Sequence, residues 1–525
     1  MSNKTHRDQE QFKQAALDYH RSEPKGKIEV IPSKPHTSQR DLSLAYSPGV
    51  AEPCLEIERD PKTVYEYTSK GNLVAVISNG TAVLGLGDIG AEASKPVMEG
   101  KGLLFKIFAD INVFDIEINE KDPDKFIEIV KGIAPTFGGI NLEDIKAPEA
   151  FYIEQKLKEE LSIPLMHDDQ HGTAIISAAA LINALELAGK KIDEVKMVVN
   201  GAGAAAIACT KLYVALGLKK ENVLMCDSKG VINHKRENLT PEKLDFIAQT
   251  DLETLEDALK GADVFVGLSK GDVMSAEMLK SMEENPIVFA LANPTPEIDY
   301  NLAISVREDV LMATGRSDFP NQVNNVLGFP YIFRGALDVQ ATGINEAMKL
   351  AAVKAIADLA KEPVPEMVKL AYNVKNLGFG REYYIPKPFD NRLLTKVSIA
   401  VAKAAIESGI AGKPITDFEA YENQLLDRMG RDEKLIRMMQ TRARSNPKRV
   451  VLGNAEEYNV LKAAQILYEE GIAHPILLGE KKYILEQMEK FNIHLDVPIV
   501  DPTDDDQKEN RKKYRQTLWE LRNRK

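Results

Sequence analysis

The sequence predicts an α/β fold in which short, mostly parallel strands are covered by helices on both faces. Two observations carry that reading. Apolar runs at 195–199, 223–226, 263–267, 287–291 and 310–314 alternate with helix-like segments, and each stops at or near a Gly, Ser, Asn or Asp. Strands buried on both faces look like this, and the helices between them supply the crossovers. The composition is that of an ordinary globular chain, 44% hydrophobic and 28% charged over 525 residues, long enough for three or four domains at ~150 residues each.

Taken in order, residues 8–20 read as a helix followed by an extended polar arm. Val74–Ile77 and Val83–Leu86 read as strands joined by the turn dipeptide Asn79-Gly80. A helix over 92–108 leads to a strand at 113–116 and a helix at 122–133. Residues 148–161 are helical, Ile163–Met166 is a brief strand, and an Ala-rich helix follows over 172–188. The clearest strand–helix alternation then begins at Val195. Helices fill 344–360 and 393–408, with a loop at Pro386–Pro388 between them. The Arg-rich stretch 427–448 reads as a linker to a small module with strands at 449–452 and 475–479 around a helix at 455–470.

Composition also excludes function classes. Lys and Arg number 67 against 79 Asp and Glu, a net charge of −12, which argues against nucleic-acid binding. No apolar run reaches the ~18–20 residues of a membrane span, and the polar start is no signal peptide. Cys54, Cys209 and Cys226 are odd in number and lack CxxC spacing, so neither a disulfide framework nor a zinc site is expected. The chain is expected in the cytoplasm, without a membrane or nucleic-acid partner.

Gly201-Ala202-Gly203-Ala204-Ala205-Ala206 follows an apolar run and opens a helix-like segment. It satisfies the G-x-G-x-x-G/A dinucleotide fingerprint in its strand–turn–helix setting. Gly201 permits the tight turn, Gly203 lets a pyrophosphate approach the backbone, and Ala206 allows close helix packing. Asp227 ends the next run, where the fingerprint expects the acid for a ribose hydroxyl. Lys229, with Arg236 as a second cation, could meet a 2′-phosphate, so NADP is expected and NAD stays open. Upstream, Glu143-Asp144 and Asp168-Asp169 each sit where an apolar run meets a polar turn. Clustered oxygen donors suit Mg²⁺ or Mn²⁺. N-capping of the helix near Gly172 would account for one of the two aspartates, not both. The His167 and His171 spacing mimics a zinc pair but has no third soft ligand nearby.

These residues resemble a family. Tyr46-Ser47-Pro48-Gly49-Val50-Ala51, the turn Gly85-Leu86-Gly87-Asp88-Ile89-Gly90, both acidic pairs, Gly201–Ala206, Asn293-Pro294-Thr295 and Asn324-Asn325 occur in the order seen in malic enzymes. The resemblance spans roughly residues 10–425. It is strongest to the bacterial NADP-dependent type fused to a phosphate-acetyltransferase-like domain, whose opening portion Arg449–Gly479 resembles. It implies a malic-type N-terminal domain over 1–165, a Rossmann-like doubly wound dinucleotide-binding domain over 166–426, and a linker with a partial α/β C-terminal module over 427–525. It implies oxidative decarboxylation of (S)-malate to pyruvate and CO₂ with NADP reduction, by a homo-oligomer, dimer or higher. Glu143, Asp144 and Asp169 would hold the metal. Lys101 would be the base, Asp168 its support and Tyr46 the acid, while Asn293 and Asn325 would touch substrate and nicotinamide.

Burial or a nearby cation is expected to lower the pKa of such a lysine. One departure is Ala82, at the place where animal-type enzymes carry a malate-gripping arginine. The tail is expected to lack acetyl-transfer residues, hence acetyltransferase activity and a strong acetyl-CoA response. Two rivals remain at this level: another NAD(P)-dependent dehydrogenase on a similar two-domain frame, or a regulatory or acyltransferase-related protein.

Overall fold

A computed structural model describes residues 2–83, 85–372, 374, 376–428, 439, 442–469, 471–491, 493 and 495–522. The chain divides into two compact units, Met1–Arg428 and Met429–Lys525. The expected linker at 427–448 falls largely outside the described residues.

The first unit holds two sheets. The smaller is built from β1 Leu73–Ser78, β2 Asn112–Glu117, β3 Gly139–Leu142 and β4 Leu165–His167, all parallel, in the order β2-β1-β3-β4. β1 is wholly buried and pairs on both edges. The expected hairpin is therefore absent. Val83 makes only an isolated bridge to Gly87, and Leu84 lies outside the described residues. With both edges of β1 occupied, the segment has no strand to join. Gly80, at φ +66°, and Gly87, at φ +80°, instead coil it into a loop at the C-terminal end of β1. The helices Pro123–Ile133 and Glu149–Glu160 cover one face through Phe126, Val130, Ile153 and Leu157.

The Ala-rich helix starts at Asp168, four residues before the expected boundary, and runs to Ala188. His167 is its N-cap residue and makes no side-chain cap. Neither Asp168 nor Asp169 is thus an N-cap. Both lie in the first turn, where free N–H groups and the helix dipole favour negative charge. Among the described residues this helix alone is long and apolar enough to cross a membrane, yet 67% of its apolar window is buried inside the protein. It is a core helix.

The larger sheet comprises β5 Met197–Asn200, β6 Val223–Asp227, β7 Gly230–Val231, β8 Val264–Gly267, β9 Ile287–Ala290 and β10 Leu311–Thr314. Their order is β10-β9-β8-β5-β6-β7, and only the two-residue β7 is antiparallel. Met197 stands opposite Val223 on one side and Val264 on the other, so the strand order reverses at β5. The helix Ala204–Ala215 follows β5 directly. Helices Glu346–Lys361 and Arg392–Glu407 form as expected. The buried helix Phe329–Asp338 escaped the sequence reading.

The second unit has a parallel sheet of β11 Lys448–Leu452, β12 Ala473–Leu478 and β13 Ile499–Val500 in chain order. Its core gathers Leu461, Leu477, Ile484 and Met488. The last helix, Lys508–Arg522, buries no residue and leaves Leu518, Trp519 and Leu521 exposed.

Candidate active site

Both sheets present their polar side chains at the carboxyl ends of parallel strands, where open α/β sheets bind ligands. Past β3, the Glu143 N–H still donates to the Ile77 carbonyl at 2.9 Å, and Asn141 Nδ2 donates to Glu143 Oε2 at 2.8 Å. Asp144 adopts φ +54°, a left-handed conformation that short polar side chains tolerate. Its N–H donates to Asp169 Oδ2 at 2.7 Å. β4 delivers Asp168 and Asp169 to the same place.

Lys101, from the helix Ala91–Ala109, reaches into this cluster. Its Nζ lies 2.6 Å from Asp168 Oδ2 and 2.8 Å from Glu143 Oε1, with the Phe329 ring centroid 4.2 Å away. Asn325 Nδ2 donates to Asp168 Oδ2 at 3.1 Å, and Thr173 Oγ1 donates to Asn325 Oδ1 at 3.2 Å. Asp168 therefore orients both Lys101 and Asn325.

Crowding of acids sets the electrostatics. Burial pushes the Glu143 carboxyl up to about 8; Lys101 opposes the shift, while Asp169 and Asp168 add to it. Asp169 rises to about 7 through burial and its neighbour Asp144. Burial alone would lower the Lys101 ammonium, as expected from sequence. Asp168, Glu143 and Asp169 outweigh it and hold the ammonium above its ordinary value. The lowering expected of a base depends on a cation beside it; the acids by themselves act in the opposite direction.

Glu143, Asp144 and Asp169 each offer a carboxylate oxygen within 4.8 Å of the others. Three hard oxygen donors, of which Glu143 and Asp169 are pushed up by burial and neighbouring acids, fit a divalent cation such as Mg²⁺ or Mn²⁺. The two histidines do not form a zinc pair. His171 Nε2 lies 2.9 Å from Glu154 Oε2, and burial lowers both His167 and His171 to about 4.

Tyr46 is not brought to the cluster. It ends the short helix Gln39–Ala45 and is 77% exposed, beside the exposed Leu42, Leu44 and Val50. Ala82 supplies no cation, and its N–H donates to the Asp144 carbonyl at 3.0 Å.

At the larger sheet, a cavity of about 810 Å³ is lined by Gly201–Gly203, Asp227, Lys229, Lys243 and Lys270, among others. Gly201 has φ +133°, and a Cβ there would stand 2.5 Å from the Leu268 carbonyl oxygen. Gly203 has open space where a Cβ would be, as a backbone-contacting pyrophosphate requires. Ala204 and Ala205 begin the helix, and Ala206 is buried against the sheet. Asn293 lies past β9, its carbonyl oxygen 3.3 Å from a Cβ placed on Gly85, so the glycine loop of the smaller sheet comes up against the larger one there.

Asp227, the acid expected for a ribose hydroxyl, is already paired within the chain. Arg236 Nη2 donates to both its oxygens at 3.0 and 2.9 Å, Lys243 Nζ lies 3.1 Å away, and the Lys229 N–H donates at 2.9 Å. Burial alone would raise its pKa, but these partners bring it down to about 2. Arg236 is thereby committed to the acid. Lys229 makes no side-chain ion pair among the described residues. Lys243 and Lys270 went unread in the sequence, since nothing in their spacing ties them to the fingerprint.

Comparison with known proteins agrees with this geometry. Residues 25–158 match the malic enzyme N-terminal domain, 170–378 the malic enzyme NAD binding domain, and 434–525 the phosphate acetyl/butaryl transferase family. The crystal structure of malic enzyme from Pyrococcus horikoshii Ot3 superposes with a TM-score of 0.74 at 43% identity, covering 82% of this chain and 99% of that one. The chain belongs to the malic enzyme family. The NADP-dependent malic enzyme of Escherichia coli (strain K12) is 58% identical over 93% of this chain and 64% of its own length. The NAD-dependent malic enzyme of Rhizobium meliloti (strain 1021) is 51% identical over 94% of this chain and 65% of its own. The chain thus spans just under two-thirds of these longer malic enzymes.

Proposed function

We propose that the chain oxidises (S)-malate to pyruvate and CO₂, with NADP as hydride acceptor and Mg²⁺ or Mn²⁺ as resident metal. Family membership gives the reaction class. The observation that fits this chain to it is the meeting of Lys101 with Asp168 and Glu143 beside the triad Glu143, Asp144 and Asp169. Those three residues would hold the cation, which when bound acidifies the substrate hydroxyl and draws electron density from the 2-oxo group as CO₂ leaves.

Lys101 takes the hydroxyl proton while hydride passes from C2 to the nicotinamide. With Glu143 and Asp169 holding the cation, two of the three carboxylates that keep the proton on Lys101 are offset, and burial, which disfavours the ammonium, then helps it act as base while Asp168 keeps its contact. Asp168 fixes its position and that of Asn325, which with Asn293 contacts substrate and nicotinamide. Tyr46, the acid that the family resemblance implies, protonates C3 of the enolate once the exposed arm that carries it closes onto the site. Lys229 meets the 2′-phosphate and favours NADP.

We infer a homo-oligomer, dimer or higher, supported by the exposed apolar arm around Tyr46. A second copy on that arm would also cover the tyrosine, and light scattering would test it. The first unit works as two halves, 1–165 and 166–426, and the protein acts in the cytoplasm. The deciding assay is spectrophotometric, with malate and either cofactor, with and without Mn²⁺. Malate-dependent NADPH formation with CO₂ release, lost in EDTA and restored by Mn²⁺, is expected. Turnover indifferent to EDTA would favour a metal-free dehydrogenase instead.

A further inference from the structure

Glu154 stands on the helix Glu149–Glu160 and takes no part in the site described above, yet its carboxylate is buried and fully engaged. Oε1 accepts the His167 backbone N–H at 3.0 Å and pairs with Lys158 Nζ at 2.7 Å, while Oε2 lies 2.9 Å from His171 Nε2. Burial alone would push this carboxyl up, but His171 and Lys158 hold it well below the ordinary carboxylate range. An ionised carboxylate can only accept, so His171 carries its proton on Nε2, and its Nδ1 is left to accept from Lys349 Nζ at 3.2 Å. His167 and His171 bracket Asp168, Asp169 and Gln170 on either side. One carboxylate therefore pins both ends of the turn that delivers two of the clustered acids. Burying a charge in this way is costly, and an apolar side chain of similar volume would serve packing as well or better.

We propose that Glu154 is a positioning residue for metal binding: it fixes the turn from β4 into the Asp168–Ala188 helix, so that Asp169 faces Glu143 and Asp144 without Glu154 touching metal or substrate. His171, held between Glu154 and Lys349, is the second anchor of that turn. The inference rests on the reading of Glu143, Asp144 and Asp169 as metal ligands. Outer partners of this kind orient the ligating groups, and their loss is felt in metal affinity.

The test measures Mn²⁺ binding to the full chain without substrate, by the paramagnetic resonance of free Mn²⁺, in wild type, Glu154→Leu and Glu154→Gln. NADP binding by fluorescence and thermal unfolding are followed on the same samples. Glu154→Leu is expected to weaken Mn²⁺ binding by roughly 10–100-fold while NADP affinity stays within about twofold of wild type. Glu154→Gln keeps the volume and one acceptor for the His167 N–H but sets an amide against His171, so a loss of about three- to tenfold is expected. If the leucine variant does not fold, the glutamine variant decides on the same readouts. Unchanged Mn²⁺ affinity in the variants overturns the proposal, as does a parallel loss of Mn²⁺ and NADP binding, which would make Glu154 a general structural residue. A wild-type chain that binds no Mn²⁺ overturns the metal reading and the clamp with it. A wild type and variants that bind equally well overturn the clamp alone.

Discussion

The carboxyl ends of the two sheets carry opposite charge imbalances on the same kind of backbone. Past β3 and β4, Glu143, Asp168 and Asp169 act on one ammonium, Lys101, with Asp144 beside Glu143 and Asp169, and Glu143 is pushed up to about 8. At the end of β6, Asp227 meets Arg236 and Lys243 together and falls to about 2, with Lys229 and Lys270 lining the same cavity. A surplus of acid invites a cation, and a surplus of base invites an anion. The parallel strands merely bring each set to an edge; the imbalance decides what sort of ligand the edge can take. Each end can be broken separately.

The largest effect is expected from Lys101→Ala. Removing a proton-transfer group should cut turnover by roughly 10²–10⁴-fold while leaving NADP affinity nearly unchanged, because Lys101 is absent from the lining of the cavity at the larger sheet. Steady-state kinetics with a parallel fluorescence titration would show it, and a variant keeping more than a few per cent of the rate would remove Lys101 from the base role. Asp169→Asn comes next. It takes one oxygen charge from the triad, so Mn²⁺ affinity should fall at least as far as the ~10–100-fold that outer partners cost. Equal Mn²⁺ binding by variant and wild type would show that the acids are not the metal's ligands.

The basic end is sharpened by comparing two lysines. Lys229→Ala removes the cation not committed to an acid, and should weaken NADP by about ten- to a hundredfold while sparing NAD, the equivalent of ~1.5–3 kcal/mol. Lys243→Ala should cost less, because its ammonium is already engaged by Asp227 at 3.1 Å. KM values for both cofactors decide the matter. If Lys243→Ala proves the more damaging, the 2′-phosphate sits closer to the Pro241–Leu244 helix than to the β6 end.

Much of this was legible in the sequence. Strands β5, β6, β8, β9 and β10 stand out because buried parallel strands are continuous apolar runs with turn residues at their ends. The acidic pairs were visible because two adjacent acids exceed what a helix cap can use. Val83–Leu86 misled because its residues favour strands, while the deciding fact, that β1 is paired on both edges, is tertiary. The helix boundary at Asp168 was missed for a related reason, since His167 caps it with no side-chain signature. The partners of Asp227 lie 9 and 16 residues away across loops, and Glu154 meets His171 from another helix. No local pattern encodes either encounter. The raised pKa of Lys101 belongs here too: burial could be guessed, but its balance against the three carboxylates is set only in three dimensions.

The smallest expected effect tests the basic end through acid stability. In the folded state Asp227 ionises at about 2, below the ~3.9 of an unfolded aspartate. Its ionised form therefore favours the fold, and that contribution is complete above about pH 4 and fades as pH falls toward 2. Asp227→Asn keeps the shape but not the charge, leaving Arg236 and Lys243 facing an amide. At pH 6 the variant should unfold slightly earlier, by on the order of 1–2 °C in a unit this large. The gap should close as the wild type is taken down through pH 4 toward 2, because acid then removes the same charge that the substitution did. Thermal unfolding of both proteins across pH 3–6 would show the convergence. A gap independent of pH would mean that Asp227 acts by packing, and the contrast between the two sheet ends would then not rest on charge at β6.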